Sequence, residues 1–269
     1  MAIFYFFIFL FGLAVGSFLN CVIYRLEKEE NPLRGRSYCP RCKHQLSWQD
    51  LIPVFSFLLL RGKCRYCQKP ISRQYPLVEI ITGALFSFSF FIMFQPLATL
   101  FNYPMELLGS IYYLFIISFL MIIFVYDLKH YIIPDKVVFP AIAIVFLFQV
   151  FRILNFGNLN LFGIWDLGFG ILPSLFLLAI ILFSGGKWMG LGDFKLAILM
   201  GLFLGFPDIL VALFSAFFLG AAIGIGLILA GKKKMKSQVP FGPFLVAGTF
   251  IALFWGSRII EWYLNLLTI

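Results

Sequence analysis

Hydrophobic residues in this chain come in runs that are too long and too uniform for the core of a soluble domain. The first covers residues 1–24 without a single charge, and others follow at 76–94, 106–126, 134–151, 166–183, 194–206, 208–230 and 240–264. A helix that crosses a bilayer needs about 20 consecutive apolar residues. The pattern therefore predicts an all-α polytopic membrane protein with about eight transmembrane helices. Residues 194–206 are the short member: at 1.5 Å per residue they reach only about 20 Å, and Gly205 and Pro207 interrupt the pattern. A six-span arrangement, with this region merged or demoted, is the alternative. The only long stretch of ordinary soluble composition is 25–75. The expected organisation is a first transmembrane helix (1–24), a polar loop (25–75) and a transmembrane helical bundle (76–269).

Charge placement turns these spans into a topology. Only 12% of the 269 residues are charged, about half the roughly 25% usual in soluble domains. No charge precedes the first run, whereas Arg25 and others follow it, the reverse of a cleavable signal. Eleven Lys and Arg lie within 25–73. Lys129, Lys136, Lys187, Lys195 and the cluster Lys232, Lys233, Lys234 and Lys236 fall on the same side in the eight-span arrangement. Arg152 and Arg258 fall on the other. Such asymmetry marks the cytoplasmic side. It accounts for the net charge of +9 without a nucleic-acid partner; the bilayer is the surrounding the composition demands. Within the first span, Gly12, Gly16 and Asn20 repeat at i, i+4, a face suited to close helix packing.

The polar loop carries two C-x-x-C knuckles, Cys39-Pro-Arg-Cys42 and Cys64-Arg-Tyr-Cys67. Each tight turn presents two sulfurs on one side, and two such turns close a tetrahedral four-thiolate zinc site. A loop this small and polar builds little core, so a metal can supply its folding energy. C-x-x-C also serves disulfide exchange, but the paired spacing and a reducing compartment favour zinc. Four sulfurs complete the shell without His44 and leave no open position, so the expected zinc is structural.

Carboxylates at a membrane edge are costly and usually mark function. Asp127 follows an apolar run directly, and Asp193 ends Gly190-Leu191-Gly192-Asp193 before another. In the predicted topology both lie at the cytoplasmic ends of their spans, at the same depth on the same side. Two close carboxylates share one proton. The ionised member can take a proton from water and the protonated one can donate to a scissile carbonyl oxygen, which hydrolyses an amide. Gly190 and Gly192 would let a backbone approach closely. Asp135, near Asp127, is expected to orient it, to meet substrate or simply to cap its helix, and Lys195 to support the same loop. The plain alternative is that both aspartates are helix-end residues, with Asp193 a cap. A cation-coupled transporter would show interrupted helices in repeated halves near the midplane; no such repeat is present.

Taken in order along the chain, these features resemble the type IV prepilin peptidases, the bacterial leader peptidases of type IV pili and type II secretion. The resemblance rests on Gly16-Ser17-Phe18-Leu19-Asn20 with Cys21-Val22-Ile23-Tyr24-Arg25, on the cysteine box with Asp50-Leu51-Ile52-Pro53 and Gly62-Lys63-Cys64-Arg65, and on Ile71-Ser72-Arg73 and Tyr75-Pro76-Leu77-Val78-Glu79. It continues through Asp127, Ile133-Pro134-Asp135, Gly190-Leu191-Gly192-Asp193 and Pro240-Phe241-Gly242-Pro243-Phe244. It implies that Asp127 and Asp193 are the catalytic pair of an aspartic peptidase. The implied substrates are prepilins and pseudopilins with a basic leader, cut after a glycine at the cytoplasmic face of the bacterial membrane. It also implies N-methylation of the new N-terminus from S-adenosylmethionine, with Arg73, Tyr75 and Glu79 as a candidate substrate or methyl-donor region. Peptidase activity alone is the alternative.

Overall fold

The computed structural model describes residues 2–32, 35–93, 104–155, 161–231 and 239–267. The Lys232–Lys236 cluster of the charge argument lies outside them. Among the described residues the fold is helical: α1 Ala2–Glu27, α2 Phe55–Leu59, α3 Gln74–Met93, α4 Pro104–His130, α5 Asp135–Asn155, α6 Leu161–Ser184, α7 Leu191–Leu204, α8 Asp208–Leu229 and α9 Gly242–Leu267. All but the five-residue α2 correspond to the eight hydrophobic runs. Among the residues whose side chains are described, six helices (α1, α3, α4, α5, α8 and α9) are long and apolar enough to cross a membrane. The chain divides into two compact units, residues 1–122 and 123–269.

In the first unit, α1 lies against α3 along the small-residue face. A Cβ on Gly12 would come within 2.6 Å of the Gly83 Cα, and one on Gly16 within 2.7 Å of the Glu79 Cα. One further turn along, Asn20 Nδ2 donates to the Tyr75 carbonyl at 3.0 Å. Each step of four up α1 meets a step of four down α3, the register of an antiparallel pair whose backbones nearly touch. Between the two helices runs the cysteine loop. Where the chain leaves α1, buried Arg25 turns back to donate to the carbonyls of Pro32 and Arg36, at 3.3 and 3.1 Å.

In the second unit, the short helix is the inner one. Leu196, Ala197, Leu199, Met200, Gly201, Leu202 and Phe203 of α7 are all buried. Gly201 meets Gly170 of α6 backbone to backbone, and Gln149 of α5 donates to the Leu202 carbonyl at 3.0 Å. Helix α8 and helix α9 close up where Gly248 faces Ala212 and Ala216. At 14 residues α7 spans about 21 Å, less than the hydrocarbon thickness of about 30 Å. It is covered by neighbouring helices instead of lipid, which is why its length is free of that requirement. It also begins three residues earlier than its apolar run, at Leu191.

Candidate active site

Helix α4 continues past its apolar run to His130, so Asp127 lies inside the last turn and not beyond it. The helix ends where Tyr131 takes a left-handed conformation, φ +58°, and donates its N–H to the Asp127 carbonyl at 2.9 Å. Glycine usually closes a helix this way. The turn that follows carries Ile133 and Pro134 into α5, whose first residue is Asp135.

Asp193 occupies the first turn of α7. It reaches back to the residue before the helix, its Oδ2 accepting the Gly190 N–H at 3.1 Å. That is the carboxylate half of a capping box, and it satisfies a donor that the helix start leaves open. The capping role and the functional one are therefore not exclusive. Both side chains are buried, Asp127 at 4% exposed and Asp193 at 9%. Asp127 lies close enough to act on Asp193 through its charge.

Glycines make room for this meeting. The N–H of Gly242, at the start of α9, hydrogen-bonds the Asp127 carboxylate, and a Cβ there would come within 2.5 Å of Asp127 Oδ2. Ile133 fills the space between the helix ends: a Cβ on Gly192 would lie 3.1 Å from the Ile133 Cβ, and one on Gly242 would lie 3.2 Å from its Cδ1. The clearance that Gly192 was expected to leave for a substrate strand is thus occupied by Ile133. Nothing approaches Gly190 in that way; the nearest neighbour of a Cβ there is Asp193 Oδ2 at 3.8 Å. Lys195 does not meet either carboxylate of the pair. Its Nζ lies 2.7 Å from Asp135 Oδ1 and 5.0 Å above the Phe139 ring, so Asp135 is engaged with Lys195. Gly242 and Ile133 carry roles that residue-by-residue reading left blank. A run such as Pro240-Phe241-Gly242-Pro243 before an apolar helix was the available signal, since a helix start aims bare N–H groups at an anion.

In the first unit the two knuckles are built alike. Cys39 N–H donates to the His44 carbonyl and Lys43 N–H to the Cys39 carbonyl; twenty-five positions on, Cys64 pairs with Lys69 and Gln68 with Cys64, all at 2.9 Å. Lys43 and Gln68 both take positive φ, 59° and 55°. The four sulfurs lie within 4.8 Å of one another, and Cys39 Sγ is 4.0 Å from Cys67 Sγ, across the knuckles. A tetrahedral ion with metal–sulfur bonds of about 2.3 Å wants sulfurs about 3.8 Å apart, so the donor set fits. Burial opposes ionising Cys39, but the N–H groups of Cys42 and Arg41 outweigh it and bring that thiol down to about 7. The His44 N–H favours the Cys42 thiolate, yet desolvation and the thiols of Cys39 and Cys67 push it up to about 11. Four thiolates need a cation to coexist, and this cluster can hold a metal. His44 lies tilted against the Tyr66 ring, centroids 3.7 Å apart, and is not needed as a ligand.

Asp50 ties the loop together. Its carboxylate accepts from Ser47 N–H and Oγ at 3.1 and 2.8 Å, Arg65 Nε at 2.8 Å and the Tyr66 hydroxyl at 3.1 Å. Burial alone would raise its pKa, and these bonds overcome it and hold the group below the ordinary carboxylate value. Of the candidate methyl-donor region, Glu79 is buried and accepts from Val54 N–H at 2.8 Å and from Ser17. The Tyr75 carbonyl serves Asn20, and Arg73 is exposed.

Residues 10–93 match the bacterial peptidase A24 N-terminal domain, and residues 114–225 match the type IV leader peptidase family. The first range encloses the four cysteines and Glu79; the second encloses both aspartates. The chain is similar to a prepilin leader peptidase/N-methyltransferase of Aeromonas hydrophila, 34% identical over 96% of this chain and 93% of that one. It is similar also to those of Legionella pneumophila, 32% identical over 95% and 93%, and of Bacillus subtilis (strain 168), 30% identical over 96% and 97%. No solved structure matches.

Proposed function

Because the chain belongs to the type IV leader peptidase family, we propose that it removes the leaders of type IV prepilins and pseudopilins with Asp127 and Asp193, and methylates the new N-terminus. The observation that carries the reading is the meeting of two buried carboxylates at the ends of α4 and α7, each held by a backbone N–H, from Gly242 and Gly190. The ionised member takes a proton from water, and the hydroxide adds to the scissile carbonyl carbon. The protonated member donates to the carbonyl oxygen as its bond to carbon becomes single. Collapse of the tetrahedral intermediate breaks the C–N bond, and the amine leaves with a proton returned from the pair. The buried setting strengthens each of these interactions. The carboxylates lie at helix ends, so the bond to be cut belongs at the membrane face, where a basic leader meets an apolar helix. The charge distribution supports the cytoplasmic face.

The roles of the remaining parts follow. The loop at 25–75 would be a zinc domain, with Cys39, Cys42, Cys64 and Cys67 holding a structural ion that supplies folding energy. Gly190 and Gly192 shape the start of α7, and the Lys195–Asp135 pair steadies its flank. S-adenosylmethionine would supply the methyl group. Glu79 is committed to the loop, so the residues Arg73, Tyr75 and Glu79 do not by themselves form a cradle for it, and no step is routed through them. That same commitment favours a second reading, cleavage without methylation.

Reconstituted protein incubated with a prepilin, with and without S-adenosylmethionine, separates the two, the new N-terminus being read by mass spectrometry. Cleavage after the glycine before the apolar segment is expected, with one methyl group added when the donor is present. Cleavage with no added methyl would establish the second reading, and wild-type protein that cuts no prepilin would overturn both.

A further inference from the structure

Between the two knuckles lies a segment whose apolar surface the loop does not cover. Trp48, Leu51, Ile52, Phe55, Leu58 and Leu59 are all exposed, Trp48 at 72% and Leu59 at 82%, and no residue from 48 to 60 is buried. On a helix inside a bilayer such exposure is ordinary. On a loop with polar composition it marks a surface that something else covers.

The segment is held in a fixed frame. Its first turn, Trp48–Leu51, is tied through Asp50 to Arg65 and Tyr66 of the second knuckle. Its far end is closed by the Gly62 N–H donating to the Phe57 carbonyl at 2.8 Å. Its middle is pinned by the Val54 N–H donating to Glu79 Oε2 at 2.8 Å. That last bond sets the height. Glu79 is the sixth residue of α3, about 7.5 Å along the axis from Gln74, and Gln74–Ile92 is long and apolar enough to be a membrane span. The middle of the segment is therefore level with the second turn of a span, not above it.

Charge completes the match. Residues 36–73 contain eight Lys and Arg and a single acid, Asp50. Arg61, Lys63, Lys69 and Arg73 are exposed along the stretch that follows the apolar segment. Even four thiolates around a divalent ion leave the loop positive. Apolar side chains with a tryptophan at one end, bordered by Lys and Arg, are what an anionic headgroup layer binds.

From this placement we infer that residues 48–60 form an interfacial anchor, seated in the headgroup–acyl boundary of an anionic bilayer, that fixes the cysteine cluster at the membrane surface. The inference does not depend on the peptidase reading. It identifies the covering partner as lipid, in preference to another protein surface.

The test uses full-length protein, one copy per nanodisc, in anionic lipid without substrate, so that neither a second copy nor a prepilin can cover the segment. The emission of Trp48 is taken as wild type minus Trp48→Phe. Lipids brominated near the glycerol end of the acyl chain should quench that difference by roughly half or more, as befits a ring about 5–10 Å into the boundary. Leu58→Asp with Leu59→Asp should abolish the quenching. Unquenched emission at the wavelength of a water-exposed indole would overturn the inference. Unquenched but blue-shifted emission would overturn it too, by showing that protein covers the segment.

Discussion

Eight of the fourteen residues of the helix that carries Asp193 are buried, whereas among the described residues of the 28–73 loop only Cys39 and Cys64 are. The two regions owe their order to different sources. Around the aspartates, packed helices fix the geometry: Gly242 and Gly192 leave no room for a Cβ against Asp127 and Ile133, and the carboxylates are held by backbone N–H groups that would exist in any helix start. In the loop the core is the cysteine cluster itself, and the rest of the frame is Asp50, Glu79 and backbone turns. A site made by packing persists without a ligand, while a site made by ligands persists only with them. The contrast shows how one short chain can carry both a carboxylate pair seated by packing and a loop whose core is a cysteine cluster able to hold a metal.

The largest expected effect isolates the packed site. Asp127→Ala or Asp193→Ala should lower prepilin cleavage by about 10³-fold or more, while thermal unfolding in detergent stays level or improves, because each removes a buried carboxylate. Cleavage retained at the wild-type rate by either variant would instead make that carboxylate a structural cap. Next, Gly242→Ala should push the Asp127 carboxylate aside and slow cleavage by about 10–100-fold with prepilin binding unchanged. Equal loss of binding would show that the helix end, and not the carboxylate, had moved.

Removing metal probes the other region. A chelator, or Cys39→Ser with Cys64→Ser, should open residues 37–70 to protease, and methylation should fall by more than cleavage does. Equal loss of both activities would join the two regions that the comparison separates. The smallest effect belongs to the rim: Lys195→Met should cost less than about 1 kcal/mol, as expected for a largely solvated ion pair. A modest rise in KM with kcat unchanged is the expected kinetic result.

The helices were legible from the runs alone, because lipid or, for α7, a surround of other helices demands continuous apolar residues and backbone bonding does the rest. The ends were less so. Helix α4 continues through polar Asp127, Lys129 and His130, since hydrogen bonding and not hydropathy decides where a helix stops. Counting spans was enough to expect the two aspartates on one side of the membrane. It was not enough to find what seats them: Gly242 lies 115 positions from Asp127, and only tertiary packing reveals that its missing Cβ makes the space. Paired cysteine spacing announced the cysteine cluster, whose four sulfurs lie close enough together to hold a metal. The bond from Val54 to Glu79 had no such signal, because a backbone N–H leaves no mark on residue type.

The central claim rests on single-turnover cleavage of a bound prepilin by wild type, Asp127→Asn and Asp193→Asn in the same nanodiscs. Asparagine keeps the shape and an acceptor for Gly242 or Gly190 but cannot exchange the proton. Both variants should bind prepilin as wild type does and leave it uncut. If either cuts at the wild-type rate, the carboxylate pair is not the acid–base machinery.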